Sequence, residues 1–323
     1  MKTVLILALD GVMDSSLAIT RDTLRAGQAF AARSGRAGSL RVLTAGERSH
    51  IKTGGDLRLT VDLCFAELEK AAIQPDWIVI PGLGLVSDAA VRERFAQSDA
   101  KTAMRLLNLE CFNAAQIGAS CSAVFLLGEA GLLAGRRVTM TWWLAELFRQ
   151  RHPGVALDET RMLVRDGRFL TAGAAFAQLD LSLAILADTL GTAIAHQASR
   201  YLLIDERPSQ ARYMMPTHSQ QADPTVIAAE RWIDAHLAQP IRVDELSRQL
   251  AVSPKTLARR IQAATGISPV KLIQRRRLLQ AAHLLETTRL SIEAVAAKVG
   301  YQDSTALRKL VRREFGTTPA AIR

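Results

Sequence analysis

Two groups of residues in this 323-residue chain have types and spacings that could do chemistry. The first centres on Cys121, set in IGASCSAVFLL (Ile117 to Leu127): a strand-like apolar run, small residues, one cysteine, then an apolar helix. That is the layout of a nucleophile elbow, where a sharp strand-to-helix turn exposes the reactive atom. The positive end of the helix that follows favours a thiolate. By pattern alone, a buried core cysteine is the competing reading. The second group is a set of cations in two stretches that repeat each other. Val243 to Pro269 reads VDELSRQLAVSPKTLARRIQAATGISP, and Ile292 to Pro319 reads IEAVAAKVGYQDSTALRKLVRREFGTTP. Val243, Leu246 and Leu250 correspond to Ile292, Val295 and Val299 at one offset. Leu257, Gly266 and Pro269 correspond to Leu307, Gly316 and Pro319 at an offset one residue larger, so the extra residue falls in the turn. Each stretch predicts a short helix, a tight turn opening at a small residue (Ala251, Gly300), and a second helix with a basic outer face. This is a helix-turn-helix unit, and two in tandem point to sequence-specific DNA binding.

The elements that must position these residues follow from periodicity and charge. Strand-like runs at Thr3 to Leu9, Leu40 to Ala45, Trp77 to Ile80 and Ala115 to Ser120 alternate with helical patterns such as Ala18 to Arg33. This predicts a doubly wound, mostly parallel α/β sheet whose ligands sit beyond the C-terminal strand ends. The loops that matter are then Asp10 to Ser16, Pro81 to Gly84 and Ser120 to Ser122. Residues 223–323 carry 17 Lys+Arg against 9 Asp+Glu, whereas residues 1–222 carry 24 against 22. The basicity belongs to the all-helical C-terminal third, where phosphate neutralisation would use it. Of three cysteines none forms a CxxC pair, which argues against a disulfide framework or a zinc site and fits a reducing cytoplasm. The N-terminal apolar run is broken by Asp10 and reads as a buried strand, and no run is long enough for a membrane span. DERPSQARYMMPTHSQQ (Asp205 to Gln221) reads as a linker, and HQASRYLLI (His196 to Ile204) before it as a helix packed on the α/β domain.

The C-terminal region from about Pro224 resembles the AraC/XylS-type DNA-binding domain, most specifically in SIEAVAAKVGY (Ser291 to Tyr301) and RREFGTTP (Arg312 to Pro319). Residues 1 to about 190 resemble the class I glutamine amidotransferase-like, or PfpI-like, superfamily. The residues that carry this are Asp10-Gly11 after the first strand, VIPG (Val79 to Gly82), the Cys121 elbow, AGLLAGRRVTMTW (Ala130 to Trp142), and FLTAG (Phe169 to Gly173) followed by Asp180. The combination resembles the GlxA-like group of transcriptional regulators. It implies a flavodoxin-like sensor domain over 1–195, a connecting helix and linker over 196–222, and a tandem helix-turn-helix domain over 223–323. Recognition helices are expected from about Pro254 to Ala263 and Ser304 to Glu314. Carried over by position, Lys255, Arg259, Ser304, Thr305, Arg308 and Lys309 face base edges, with Thr256 on the same DNA-binding surface. Arg260, Arg312 and Arg313 are the expected phosphate contacts. Arg275, Arg276 and Arg277 lie on the helix joining the two units and cannot all reach DNA, so at least one is expected to be solvated.

Enzymes of this superfamily place a carboxylate from the first loop beside the cysteine, and often a histidine from the segment after the elbow helix. Here the acid position falls on Ser16, with Asp14 the nearby carboxylate, and Thr141 before Trp142 takes the histidine position. His152 reads as a surface residue. A thiolate without a base is poorly activated, so the expectation is a ligand pocket without catalysis, lined by Asp14, Ser16, Leu83, Cys121, Ser122, Thr141 and Trp142. Backbone N–H groups near Leu83 and Ser122 would form an anion-accepting nest. Trp142 and Trp143 on a helix would point about 100° apart, so at most one faces the pocket. The expected partners are operator DNA, a small inducer such as an amino acid or amine, RNA polymerase if the protein activates, and a second copy through the N-terminal domain. No cofactor or metal is expected. The competing class is a Cys121-dependent amidase or glyoxalase-like hydratase fused to a DNA-binding domain, which a carboxylate within reach of the sulfur would favour.

Overall fold

The apolar run at the N-terminus becomes a central strand. The computed structural model describes residues 1–70, 73–205, 207, 209–214 and 223–322, in two units, Met1–Arg207 and Pro208–Arg323. The first unit runs β1 (Lys2–Leu7), α1 (Asp14–Arg33), β2 (Leu40–Gly46), β3 (His50–Lys52), β4 (Arg58–Thr60), β5 (Leu63–Cys64), α2 (Phe65–Lys70), β6 (Trp77–Ile80), α3 (Asp88–Ala96), α4 (Ser98–Leu107), β7 (Gln116–Ser120), α5 (Val124–Glu129), β8 (Arg137–Val138), α6 (Ala145–Arg151), β9 (Ala156–Leu157), β10 (Leu163–Asp166), β11 (Phe169–Ala172), α7 (Ala177–Leu190) and α8 (Thr192–Tyr201). Seven strands form one sheet in the order β10-β11-β7-β6-β1-β2-β5. All its neighbours are parallel except β10, which pairs antiparallel with β11 at the edge.

The run reads as continuously apolar because both sheet faces are covered: Val4 to Leu7 and Ile78 to Ile80 are fully buried. The β3–β4 hairpin lies outside this sheet and packs on the loop after β1. Gly11 N–H donates to the Lys52 carbonyl at 2.7 Å, and Gly54 N–H to the Val12 carbonyl at 2.8 Å. Helix α8 packs against α1 and α7; it starts four residues before the expected His196 and ends at Tyr201, short of the expected Ile204. Of the expected linker Asp205 to Gln221, residues 206, 208 and 215–221 lie outside the described residues. Arg207 is described: its guanidinium pairs with Asp180 on α7 and donates to the Phe176 carbonyl at 2.8 Å. Burial raises the Asp180 pKa against the opposing pull of Arg207.

The second unit is all helical: α9 (Pro224–Ala235), α10 (Val243–Gln249), α11 (Pro254–Thr265), α12 (Pro269–Thr287), α13 (Ile292–Lys298), α14 (Ser304–Phe315) and α15 (Pro319–Ile322). The two helix-turn-helix units are α10–α11 and α13–α14, joined by α12. Their boundaries are chemically marked. The Ser253 side chain accepts from Thr256 N–H at 3.1 Å, and Asp303 accepts from Thr305 N–H at 2.7 Å, so both second helices start on side-chain caps. Both end at a glycine in the left-handed region, Gly266 and Gly316, each at φ +69°. The turns between the helices open on Ala251 at φ +53° and Gly300 at φ +80°. The extra residue does fall there, since residues 250–253 separate α10 from α11 and residues 299–303 separate α13 from α14. Leu246, Leu257 and Ile261 of the first unit are buried with Val226, Ala229 and Ile233 of α9. Val295, Leu307 and Val311 are the equivalent buried positions of the second, which also buries Val299 and Phe315.

Candidate functional site

Cys121 sits where β7 ends, in a single 3-10 turn that leads into α5, at φ +56°. A β-carbon-bearing residue in this region is strained, and the strain is held by the Cys121 N–H donating to the Gly173 carbonyl at 2.8 Å. The elbow is therefore present, but its thiol is not exposed as the layout predicts: Cys121 is 0% accessible. Burial pushes the thiol above its ordinary range. The Ser122 N–H and hydroxyl, the Gly84 N–H and, more weakly, the Thr141 hydroxyl pull the other way. Desolvation outweighs four donors, so the expectation of a thiolate favoured by the helix end is reversed.

The first turn of α1 carries the residues expected beside the sulfur. Ser16 is fully buried, and its hydroxyl accepts the Gly82 N–H at 2.7 Å. Gly82 is tightly enclosed: a β-carbon there would lie 3.0 Å from Cys121 Cβ and 3.3 Å from the Ser16 and Ser120 hydroxyls. Ser16, Gly82, Ser120 and Cys121 thus converge on one spot. Asp14, the carboxylate two residues earlier, instead accepts a short hydrogen bond from the Thr53 hydroxyl of the β3–β4 hairpin. Ser122 hydroxyl accepts from Leu85 N–H at 3.0 Å, so the Gly82 and Leu85 amides of the Pro81 to Val86 loop are occupied by the protein's own hydroxyls. The buried Ser120 hydroxyl makes no well-formed hydrogen bond.

Leu83 is 5% accessible and Trp142 half-buried. The tryptophans occupy a 3-10 turn (Trp142–Leu144) rather than the first turn of an α-helix, their rings perpendicular with centroids 5.4 Å apart. Trp143 is fixed by its indole N–H donating to the Leu85 carbonyl at 3.1 Å. His152, expected at the surface, is tucked against Phe148 and Phe125 at ring distances of 4.8 and 6.1 Å, with its side chain 13% accessible. Burial lowers its pKa against the pull of Glu129, which keeps it a neutral packing residue.

On the second unit, Lys255 and Arg259 project from the exposed face of α11, with Thr256 half-buried at its start. On α14, Thr305, Arg308, Lys309, Arg312 and Arg313 are exposed at helical spacing. Together with Thr318 and Pro319 they line one concavity of about 480 Å³. On α14, Arg308 and Lys309, expected at bases, thus share one surface with Arg312 and Arg313, expected at phosphates. Ser304, half-buried, donates to Glu293 of α13, whose carboxylate also receives Arg308 at 3.2 Å.

Three arginines are engaged by the protein's own groups. Arg260 is taken up by α9: its guanidinium binds the Thr225 hydroxyl and lies 3.5 Å from Asp223, the residue that caps that helix. Arg276 is 8% accessible and paired with Asp234 and Glu230 rather than solvated. Arg277 donates to the Gln239 carbonyl at 2.7 Å and stands 5.6 Å over the Tyr301 ring. Apart from Tyr301, their partners come from α9, its cap and the segment after it, which no local spacing links to α11 or α12.

No helix among the described residues is long and apolar enough to cross a membrane, and none of their His, Cys, Asp and Glu side chains cluster in a way that could hold a metal. A mostly parallel flavodoxin-like sheet with a strained cysteine at its elbow, on one chain with an AraC-type pair of helix-turn-helix units, defines the class. The chain belongs to the DJ-1/PfpI family, whose sequence model matches residues 2–188, and a helix-turn-helix domain model matches residues 246–323. It is similar to the HTH-type transcriptional regulator GlxA of Rhizobium meliloti, 27% identical over 64% of this chain and 65% of that protein. It is also similar to the regulator CdhR of Pseudomonas aeruginosa, 25% identical over 65% of this chain and 63% of that protein. The match thus spans just under two-thirds of these relatives' length. A solved THiJ/PfpI family protein from Pseudomonas syringae shares the fold at TM-score 0.52 and 20% identity, over 77% of this chain and 90% of that one.

Proposed function

We propose that the protein is a sequence-specific DNA-binding transcriptional regulator whose DJ-1/PfpI unit senses a small metabolite without catalysing a reaction. The observation that carries this is the contrast between its two ends. The helix-turn-helix units present exposed cations on their second helices. The elbow cysteine instead faces a serine whose oxygen is spent on the Gly82 N–H, with the nearby carboxylate turned to Thr53. Nucleophilic catalysis needs a base at the nucleophile, and a buried thiol with a raised pKa and no base is a poor one. The half-buried Trp142 offers an aromatic face suited to an amino acid or amine, the inducer class we favour. Operator DNA, a second copy of the chain and, for an activator, RNA polymerase complete the proposed partners.

The test has two arms. Duplexes selected from a random library by the full chain should share one sequence, and amino acids and quaternary amines should be screened by thermal shift. A ligand at a hundred times its dissociation constant adds about 2.7 kcal/mol of stability. Turnover of amides or 2-oxoaldehydes that disappears in Cys121→Ser would replace this reading with the hydrolase or hydratase one.

A further inference from the structure

The two helix-turn-helix units are equal in formal charge. Residues 243–269 hold four Lys/Arg and two Asp/Glu, residues 292–319 hold five and three, and each stretch is net +2. The structure places those charges unequally. In the first unit Arg260 is drawn off α11 to the Asp223 carboxylate and the Thr225 hydroxyl, where it ties α11 to the capped start of α9. Arg248 turns back along its own helix to the Asp244 carbonyl at 3.3 Å. Lys255 and Arg259 are what α11 keeps exposed on its outer face. In the second unit four exposed cations, Arg308, Lys309, Arg312 and Arg313, line a single concavity closed on one side by Thr318 and Pro319. The ion pairs there, Arg308 with Glu293 at 3.2 Å and Arg313 with Glu314 at 2.8 Å, are solvent-exposed and exchange readily for a phosphate.

We infer that the units are unequal partners on DNA: the concavity on α14 grips the phosphate backbone and supplies most of the salt-dependent affinity, while α11 contributes chiefly to the choice of sequence. This rests on the DNA-binding reading and assigns the labour within it. Each phosphate neutralised releases counterions and steepens the fall of affinity with salt by about 0.9 in a double-logarithmic plot, so the division of contacts is directly countable. Arg260, although it lies on a recognition helix, contributes nothing to that count.

The experiment measures binding of the full chain to a mixed-sequence duplex, and to a duplex selected by the wild type, by fluorescence anisotropy across salt concentrations. Arg312→Ala with Arg313→Ala should lower the slope by about 2 on both duplexes. Lys255→Ala with Arg259→Ala should lower it by less than about 1 and lose affinity mainly on the selected duplex, narrowing the gap between the two. Arg260→Ala should leave the slope unchanged. Arg312→Gln with Arg313→Gln, which keeps side-chain length and removes charge, must reproduce the alanine result, and circular dichroism checks that each variant is folded. Equal slope losses in the two double variants, or a loss of about 1 in Arg260→Ala, would overturn the inference while leaving DNA binding intact. A wild type that binds neither duplex in a salt-dependent way would overturn the DNA-binding reading itself.

Discussion

The Ser16 hydroxyl accepts the Gly82 N–H at 2.7 Å, and the serine is fully buried. The position at which the resemblance to enzymes of the superfamily leads one to expect a carboxylate is used here to satisfy a backbone donor. Ser16→Ala would leave that N–H buried without a partner, at a cost of about 1–3 kcal/mol. Thermal unfolding should show the loss, with no change in DNA affinity at temperatures where the variant is folded. A variant as stable as wild type would mean that the hydrogen bond contributes nothing.

The cysteines should react in the reverse of the order that the elbow suggests. Cys111 is exposed, Cys64 half-buried and Cys121 buried, so alkylation mapped by mass spectrometry at neutral pH should modify Cys111 first and Cys121 last. The folded pKa of Cys121 is raised, so its contribution to stability is intact below the ordinary thiol pKa of about 8.5 and is lost as pH climbs toward the folded value. Cys121 labelling should therefore accelerate on the alkaline side. Early labelling of Cys121 at neutral pH would show that the elbow opens to solvent.

The small residues in the two turns carry different loads. At Gly300 a β-carbon would run into the Leu237 carbonyl oxygen, and φ is +80°. Gly300→Ala should cost about 2–4 kcal/mol, from left-handed strain and forced repacking together. Ala251 already accepts φ +53°, so Ala251→Gly should change stability by less than about 1 kcal/mol, relief of strain offsetting added chain entropy. Chemical denaturation of both variants decides it, and an innocuous Gly300→Ala would refute the steric account.

Much of this architecture is legible in the chain. The repeat fixes both helix-turn-helix units, and the continuous apolar runs locate the central strands because both sheet faces are covered. What is not legible depends on contacts between distant segments. Asp14 and Ser16 stand two residues apart in the first turn of α1, yet what holds each of them is Thr53 on a hairpin and Gly82 after another strand. Arg260 and Arg276 look like any other cations on a basic face until α9 brings Asp223 and Asp234 to them. His152 likewise carries no local mark of its burial, whereas the apolar run around Cys121 already allowed a buried core cysteine.

Arg276 illustrates the cost of such hidden pairing. It is 8% accessible and neutralises Asp234 and Glu230, and burial already raises the pKa of Glu230. Arg276→Ala should destabilise the helical unit by about 3 kcal/mol, the lower end for a broken buried pair because Asp234 is partly exposed. A raised carboxyl favours the fold while protonated and penalises it as pH rises through the folded value. The deficit should therefore be smaller at about pH 5 than at about pH 8, where Glu230 is charged without its cation. Melting curves at both values check the sign, and a deficit independent of pH would assign the loss to packing alone.

The matched left-handed stops at Gly266 and Gly316 have an engineering consequence. Both second helices are twelve residues long, begin on a side-chain cap, and end on a glycine at the same φ, three residues before a buried proline. Each is in effect a cassette with standard ends: its outward positions can be rewritten, or the two helices exchanged, while the inward apolar positions and both terminal fittings stay fixed. Reprogramming the target sequence of this scaffold is then a matter of exchanging inserts between fixed joints.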